Sequence, residues 1–368
     1  MTSARRTPVD RSFLGIILFL LVVGFFISSS ASLSTIGAKD LSFPFDFSQL
    51  IASVLGVIIM ALFTRVDYHI FRRYALPFFA GTLLLTIVVF LPVVGFSHGG
   101  ANRWILLGPV SFQPSEFLKL GFIVYFASWL VASRSRLNSL KFGLLPYLLM
   151  LALVGIVMLK QPDTGTFLIM FGASIAMFIA GGGKWTHLLL IFLIGLLGIG
   201  YLALTREYVR DRLLTFVKPT HDILGSSYQI NQSLIAIGSG KLLGRGYGQS
   251  IQKFNYLPES IGDSVFAVLG EEMGFVGTAG ITISFALFAL LGLRIGSRIR
   301  DNFGKLLVVG ITMMITVAAF MNIGAMLGVI PLTGVPLPFV SHGGTALVIT
   351  LAACGIVLAV SRSVGRAS

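Results

Sequence analysis

The stretch FLGIILFLLVVGFFISSSASLS, Phe13 to Ser34, carries no charge and stands directly behind Arg5, Arg6 and Arg11. A helix needs about 20 apolar residues to cross the ~30 Å hydrocarbon core of a bilayer, and this run supplies them. Its basic front resembles a signal peptide. The run extends well past an ordinary signal core and offers no convincing cleavage site, so it predicts an uncleaved first membrane helix.

Further apolar runs follow at about 47–64, 75–96, 114–132, 143–159, 165–181, 185–204, 264–293, 304–328 and 343–361. Composition agrees with a membrane protein. Of 368 residues, 55% are hydrophobic and only 11% charged, with mean hydropathy +0.92, whereas a soluble domain carries about a quarter charged residues. The expected fold class is an all-α polytopic membrane protein of about ten transmembrane helices, forming a single integral membrane domain over 1–368. No internal repeat supports an inverted-repeat transporter. The single cysteine, Cys354, lies inside an apolar run, which excludes a disulfide framework or a thiolate metal site.

The net charge of +13 raises a nucleic-acid reading, but the basic residues sit in short clusters between apolar runs, where they set topology. With the N-terminus inside, the cytoplasmic side receives Arg5, Arg6, Arg11, Arg65, Arg72, Arg73, Arg134, Arg136, Lys141, Lys184, Arg294, Arg298, Arg300, Lys305, Arg362 and Arg366, and the short outer loops only Lys39, Arg103 and Lys160. Both termini are therefore expected in the cytoplasm. The long segment 205–263 is then extracytoplasmic, and a loop of that length is usually functional or disordered.

Ionisable groups at membrane depth are costly, so each is a candidate for function. In Gln113-Pro114-Ser115-Glu116-Phe117-Leu118-Lys119, proline suits a first helical turn and Ser115 or Glu116 could cap it. Glu116 and Lys119 share a helix face, as a structural ion pair or as substrate ligands. In Gln161-Pro162-Asp163-Thr164-Gly165-Thr166, Asp163 is placed to cap the next helix. Asp263 stands just before an apolar run, as a cap or as a general base at the membrane boundary. Glu271 and Glu272 cannot share one face, so at least one needs a structural partner. The stretch Gly328–Gly344 holds too much proline and glycine for a regular helix and reads as a re-entrant or cavity-lining loop. His342 within it reads as a hydrogen-bonding residue rather than a metal ligand.

Taken in order, these motifs resemble a known family. They are Gly99-Gly100-Ala101-Asn102-Arg103-Trp104-Ile105, Gln-Pro-Ser-Glu…Lys at 113–119, Gln161–Thr166, Tyr228-Gln229…Gln232-Ser233, Lys253…Tyr256-Leu257-Pro258-Glu259…Asp263, Gly270-Glu271-Glu272…Gly274 and Pro331–Gly344. The chain resembles the SEDS (shape, elongation, division and sporulation) family, which includes FtsW, RodA and SpoVE. Its Leu337-Pro338-Phe339-Val340-Ser341 motif looks more like FtsW than RodA.

The resemblance implies a peptidoglycan glycosyltransferase that polymerises lipid II in the bacterial inner membrane. It implies work beside a class B penicillin-binding protein and other divisome or elongasome proteins, among membrane lipids, without nucleic acid. It assigns the catalytic base to Asp263. Arg103, Lys119, Arg245 and Lys253 become candidate cations for the leaving pyrophosphate, with no metal-ligating residues expected in the protein and a divalent Mg or Mn ion as an optional helper. Glu116, Gln161, Asp163, Glu259, Ser341 and His342 complete the expected substrate-binding set. A lipid II flippase and a non-catalytic division scaffold are the alternatives. The chain departs from the family at Ile261-Gly262, where His-Thr is common, at Ser264-Val265 for Phe-Ile, at His342 for tyrosine, and at Lys241 for glycine.

Overall fold

In a computed structural model of the chain the described residues are 9–36, 47–91, 95–98, 101–107, 110–218 and 227–364. Arg5, Arg6, Lys39, Gly99, Gly100 and Arg366, invoked above, lie outside the described residues.

Inside a bilayer every backbone N–H and C=O must find a partner within the protein, which forces apolar runs into helices. The runs become α1 (Arg11–Ile36), α2 (Phe47–Phe63), a short α3 (His69–Arg73), α4 (Ala75–Val88), α5 (Pro114–Ala132), α6 (Leu145–Lys160) behind a π turn at Leu140–Leu144, α7 (Thr164–Ala180) and α8 (Trp185–Thr205). After them come α9 (Glu207–Val217), α10 (Tyr228–Ser239), α11 (Val265–Arg298), α12 (Asn302–Met326) and α13 (Gly344–Val364). Among the described residues seven helical segments are long and apolar enough to cross a membrane, and α2, α4 and α7 are shorter apolar helices. α4 stops short of the run expected to reach residue 96, ahead of Pro92, because the residue before a proline is pushed out of helical geometry.

Helix α12 is the central pillar, packed against α5, α7, α11 and α13 and buried along most of its length. Helix α8 is the opposite case: only His187 and Ile191 are buried, and its leucines face outward, as lipid-facing residues do.

Two parts of the chain differ from the sequence expectation. The segment before α5 is a three-stranded antiparallel meander, β1 (Gly95–His98), β2 (Ala101–Leu107) and β3 (Val110–Phe112). Its register shifts between Phe96 and Ser97, which oppose Trp104 and Asn102, so Arg103 is the extra residue. Bulges re-aim a side chain, and this one presents Arg103 to the α6–α7 junction. The segment 205–263 is not a bare loop: it contains α9 and α10.

Helix α11 is broken at Gly274 (φ 62°, ψ −160°). A break exposes backbone groups that need partners, and the turn Gly240–Gly246 supplies them. Lys241 O accepts from Phe275 N (2.9 Å), Leu242 O from Val276 N (3.1 Å), while Arg245 N and Gly246 N donate to Glu271 O and Glu272 O (3.0 Å each). Lys241 is held at φ 51°, a left-handed conformation that explains why glycine suits this position.

The same turn is fastened by a buried ionic cluster. Lys253 Nζ donates to Glu272 Oε1 (2.8 Å), Ser30 Oγ (3.0 Å) and Gly248 O (3.0 Å). Glu271 accepts from Ser250 Oγ (2.6 Å) and from the backbone of Ile251 and Gln252, with Arg245 Nη1 at 3.3 Å. Both glutamates thus have structural partners.

Two outcomes follow for thermal unfolding in detergent. Lys253→Met leaves Glu272 buried without its counter-ion, a loss of about 3–5 kcal/mol, and lowers the melting temperature sharply; Lys253→Met with Glu272→Leu recovers most of it. Lys241→Gly relieves the left-handed strain and raises the melting temperature, by the equivalent of about 1 kcal/mol.

Candidate active site at the helix ends

One end of the bundle gathers the start of α5, the α6–α7 junction, the break-side end of α11, the end of α12 and the loop 327–343. At its centre stands Asp263. The turn that carries it is built by Glu259, at φ 51°, whose carbonyl accepts from Gly262 N (3.0 Å) and Ser264 N (3.1 Å). Ser264, not Asp263, takes the N-cap position of α11 and makes no side-chain cap bond. The capping explanation for Asp263 therefore lapses, and its carboxylate is left for other work.

The backbone around Asp263 is tied from two sides. Asn322 Nδ2, from α12, donates to Asp263 O (2.6 Å) and to Val335 O (2.8 Å). Ser341 Oγ donates to Gly262 O (2.7 Å) and accepts from Leu337 N (2.7 Å), and His342 N donates to Ile261 O (2.9 Å). The anchoring goes through the carbonyls of Ile261 and Gly262, so it survives the departures at these positions. Beyond its backbone bond, the His342 ring lies 3.5 Å from Ser48 Oγ.

Desolvation by burial, then the nearby Glu259 charge, push the Asp263 pKa up to about 6; Gln229 and Arg212 act in the opposite sense. Gln229, on α10, also donates to Ser264 Oγ (3.0 Å). Arg212 approaches from α9 with its guanidinium over the Tyr208 ring (4.3 Å). A Cβ added at Gly334 would lie 3.4 Å from Arg212 Nη2 and 3.6 Å from Asp263 Oδ2, so Gly334, itself at φ 65°, is the spacer between carboxylate and guanidinium. Desolvation lowers the Arg212 pKa and the Arg103 charge adds to that, while Asp263 and Asp163 pull the other way.

The α6–α7 junction completes the site. Arg103 Nε donates to Gln161 O (3.1 Å) and its Nη2 to Pro162 O, and Gln161 Nε2 donates to Thr86 O (2.8 Å). Asp163 caps α7 as expected, accepting from Thr166 N (3.2 Å), and also lies 3.4 Å from both Gln113 Nε2 and Ser115 Oγ. Ser115 and Glu116 do not cap α5, because Gln113 holds that position and Pro114 begins the helix. Glu116 instead pairs with Lys119 at 2.8 Å, and both line a small cavity under Val335, Phe339 and Ser341.

Asp263, Glu259, Ser341, His342, Arg103, Gln161 and Asp163 are thus brought to one end, with Glu116–Lys119 beside them. Arg245 and Lys253 are held in the separate Glu271–Glu272 cluster, roughly 12 Å further along the helix by its rise of 1.5 Å per residue. All three donors of Lys253 are engaged there. Arg212 and Asn322 were not singled out by sequence, and Gln229 only as part of the Tyr228–Ser233 motif, without a role at the site. The Tyr208/Arg212 spacing, four residues apart on one helix face, was the available signal, hidden by reading 205–263 as loop. Among the described residues no three His, Cys, Asp or Glu side chains are grouped to hold a metal ion.

The raised pKa means that folded protein holds the Asp263 proton more tightly than unfolded chain. Low pH therefore favours the fold, and that advantage disappears as pH rises from 3.8 through about 6. Asp263→Asn, a mimic of the neutral acid, is expected to melt higher than wild type at pH 8 and together with it near pH 4.

The FtsW/RodA/SpoVE cell cycle protein family matches residues 11–365. Stage V sporulation protein E of Bacillus subtilis (strain 168) is 39% identical over 98% of this chain and 99% of its own length. A probable peptidoglycan glycosyltransferase FtsW of Geobacter sp. (strain M18) is 38% identical over 89% and 90%. Among solved structures, a chain from a peptidoglycan synthase complex that coordinates polymerization and crosslinking superposes with TM-score 0.78 at 27% identity, covering 96% of this chain and 98% of that one. The rod shape determining protein RodA of Thermus thermophilus gives 0.70 at 26%, covering 96% and 97%. With a match from Arg11 to the last helix, and apolar helices throughout, the chain is a multi-pass membrane protein belonging to the FtsW/RodA/SpoVE family.

Proposed function

We propose that the chain is a peptidoglycan glycosyltransferase that polymerises lipid II, with Asp263 as the general base. The observation that carries this reading is a carboxylate freed from capping and partly desolvated, with Arg212 beside it at Gly334 and Arg103 held at the α6–α7 junction near Arg212. A pKa near the working pH is what a base needs, because it is mostly ionised yet still takes a proton readily.

In the reaction, the acceptor sugar hydroxyl gives its proton to Asp263 as its oxygen forms a bond to the anomeric carbon of the donor. The bond from that carbon to the lipid diphosphate breaks, and undecaprenyl pyrophosphate leaves with the electron pair. Its charge requires cations rather than a second acid. Arg103 is positioned for this role. Arg245 and Lys253, engaged with Glu271 and Glu272, are not in this conformation. Glu116 holds Lys119 at the cavity beneath the 335–343 loop. Asp163 orders the junction from which Arg103 is steered, and Gln161, Ser341 and His342 hold backbone around the substrate path. Orientation by the basic clusters puts this end outside the plasma (inner) membrane of a bacterium, where a class B penicillin-binding protein would crosslink the emerging strand. The chain's likeness to a member of a peptidoglycan synthase complex supports that partner.

Polymerisation of labelled lipid II by purified protein with its cognate transpeptidase tests the reading. Asp263→Asn is expected to reduce glycan synthesis by about 10²–10⁴-fold while remaining folded. The wild-type rate should fall about tenfold per unit below pH 6, since the base is then protonated. Wild-type-like strands from Asp263→Asn would refute the assignment.

A further inference from the structure

Polar groups beside the Asp263 site are left without partners. Arg212 Nη1 is shielded from solvent and has no hydrogen-bond partner, and so is Thr333 Oγ1, one residue before Gly334. Arg103 stands close enough for its charge to act on Arg212, although its Nε and Nη2 are already committed to the Gln161 and Pro162 carbonyls. Two guanidiniums near one another repel, and a shielded donor without a partner is costly. The carboxylates do not resolve this. Asp163 is engaged with Thr166 N, Gln113 and Ser115, and among the described residues no ion pair joins Asp263 to either arginine.

Nη2 of Arg212 and Oδ2 of Asp263 both border Gly334, while Nη1 of the same fork has no partner. A planar guanidinium with a free edge suits bidentate contact with phosphate oxygens. Its carrier, α9, packs mainly against the outward-facing α8, so the arginine rides on an element weakly tied to the central pillar. An anion bridging Arg212, Thr333 and Arg103 would fasten it.

We infer that Arg212, with Arg103 and Thr333 Oγ1, forms a diphosphate-binding site that holds the leaving group of the donor next to Asp263. This rests on the glycosyltransferase reading and names the residue that receives the departing charge.

Equilibrium binding of inorganic pyrophosphate and of geranylgeranyl pyrophosphate to the full chain in detergent tests it without requiring turnover. Both probes should compete for one site. Arg212→Gln should weaken both by about ten- to a hundredfold, the loss of one charged hydrogen-bonding partner. Arg212→Lys, which keeps charge without the fork, should fall in between, and serves alone if Arg212→Gln does not fold. Arg245→Gln should bind as wild type, and Asp263→Asn at least as tightly, since a neighbouring negative charge is gone. Unchanged affinity in folded Arg212→Gln (or Arg212→Lys) overturns the site. So does an equal loss in Arg245→Gln, or displacement of the probes by phosphatidylglycerol, which would mark a general lipid-headgroup site. Should Asp263→Asn polymerise normally, the catalytic reading fails while the binding result stands by its own measurement.

Discussion

A single amide ties the Asp263 turn to the scaffold. Asn322 Nδ2 donates to the carbonyls of Asp263 and Val335, and Asn322 itself is buried on α12, the pillar against which much of the bundle packs. Two irregular segments that have no regular secondary structure to hold them are thereby fixed to the most rigid element available. Backbone in such segments cannot rely on helical hydrogen bonds and is tolerated at membrane depth only where the protein satisfies it. Ser341 and His342 repeat the same device from the loop side.

The second fastening is ionic, and it serves the same end. Breaking α11 at Gly274 redirects the turns that follow Asp263, but it strands backbone groups on both sides of the break. The Gly240–Gly246 turn satisfies them, and Glu271, Glu272 and Lys253 hold that turn down. Charges so far from water are tolerable only when paired and fully hydrogen-bonded. Their use in this cluster explains why motif residues that look suited to bind phosphate are engaged elsewhere.

The departures from the family pattern also have a physical reading. Ile261 and Gly262 lack the side-chain donors common at these positions, yet the turn is held through their carbonyls. Lys241 occupies a left-handed position that glycine would adopt without strain, a local cost that the turn's four backbone bonds offset.

Sequence alone determined the helices, because a hydrocarbon environment leaves an apolar run almost no other way to satisfy its backbone; the boundaries of α5, α7 and α8 fall within a residue or so of the apolar runs. It also determined the Glu116–Lys119 pair and the Asp163 cap, which depend on spacing within one turn. What needed the tertiary structure were contacts between segments far apart in the chain: Arg212 beside Asp263, Asn322 beneath it, Lys253 turned inward to Glu272, and a bulge that aims Arg103. Each depends on which helix lies against which. Local periodicity does not encode that order, because helices of equal hydropathy pack by shape and by the few polar groups they must pair.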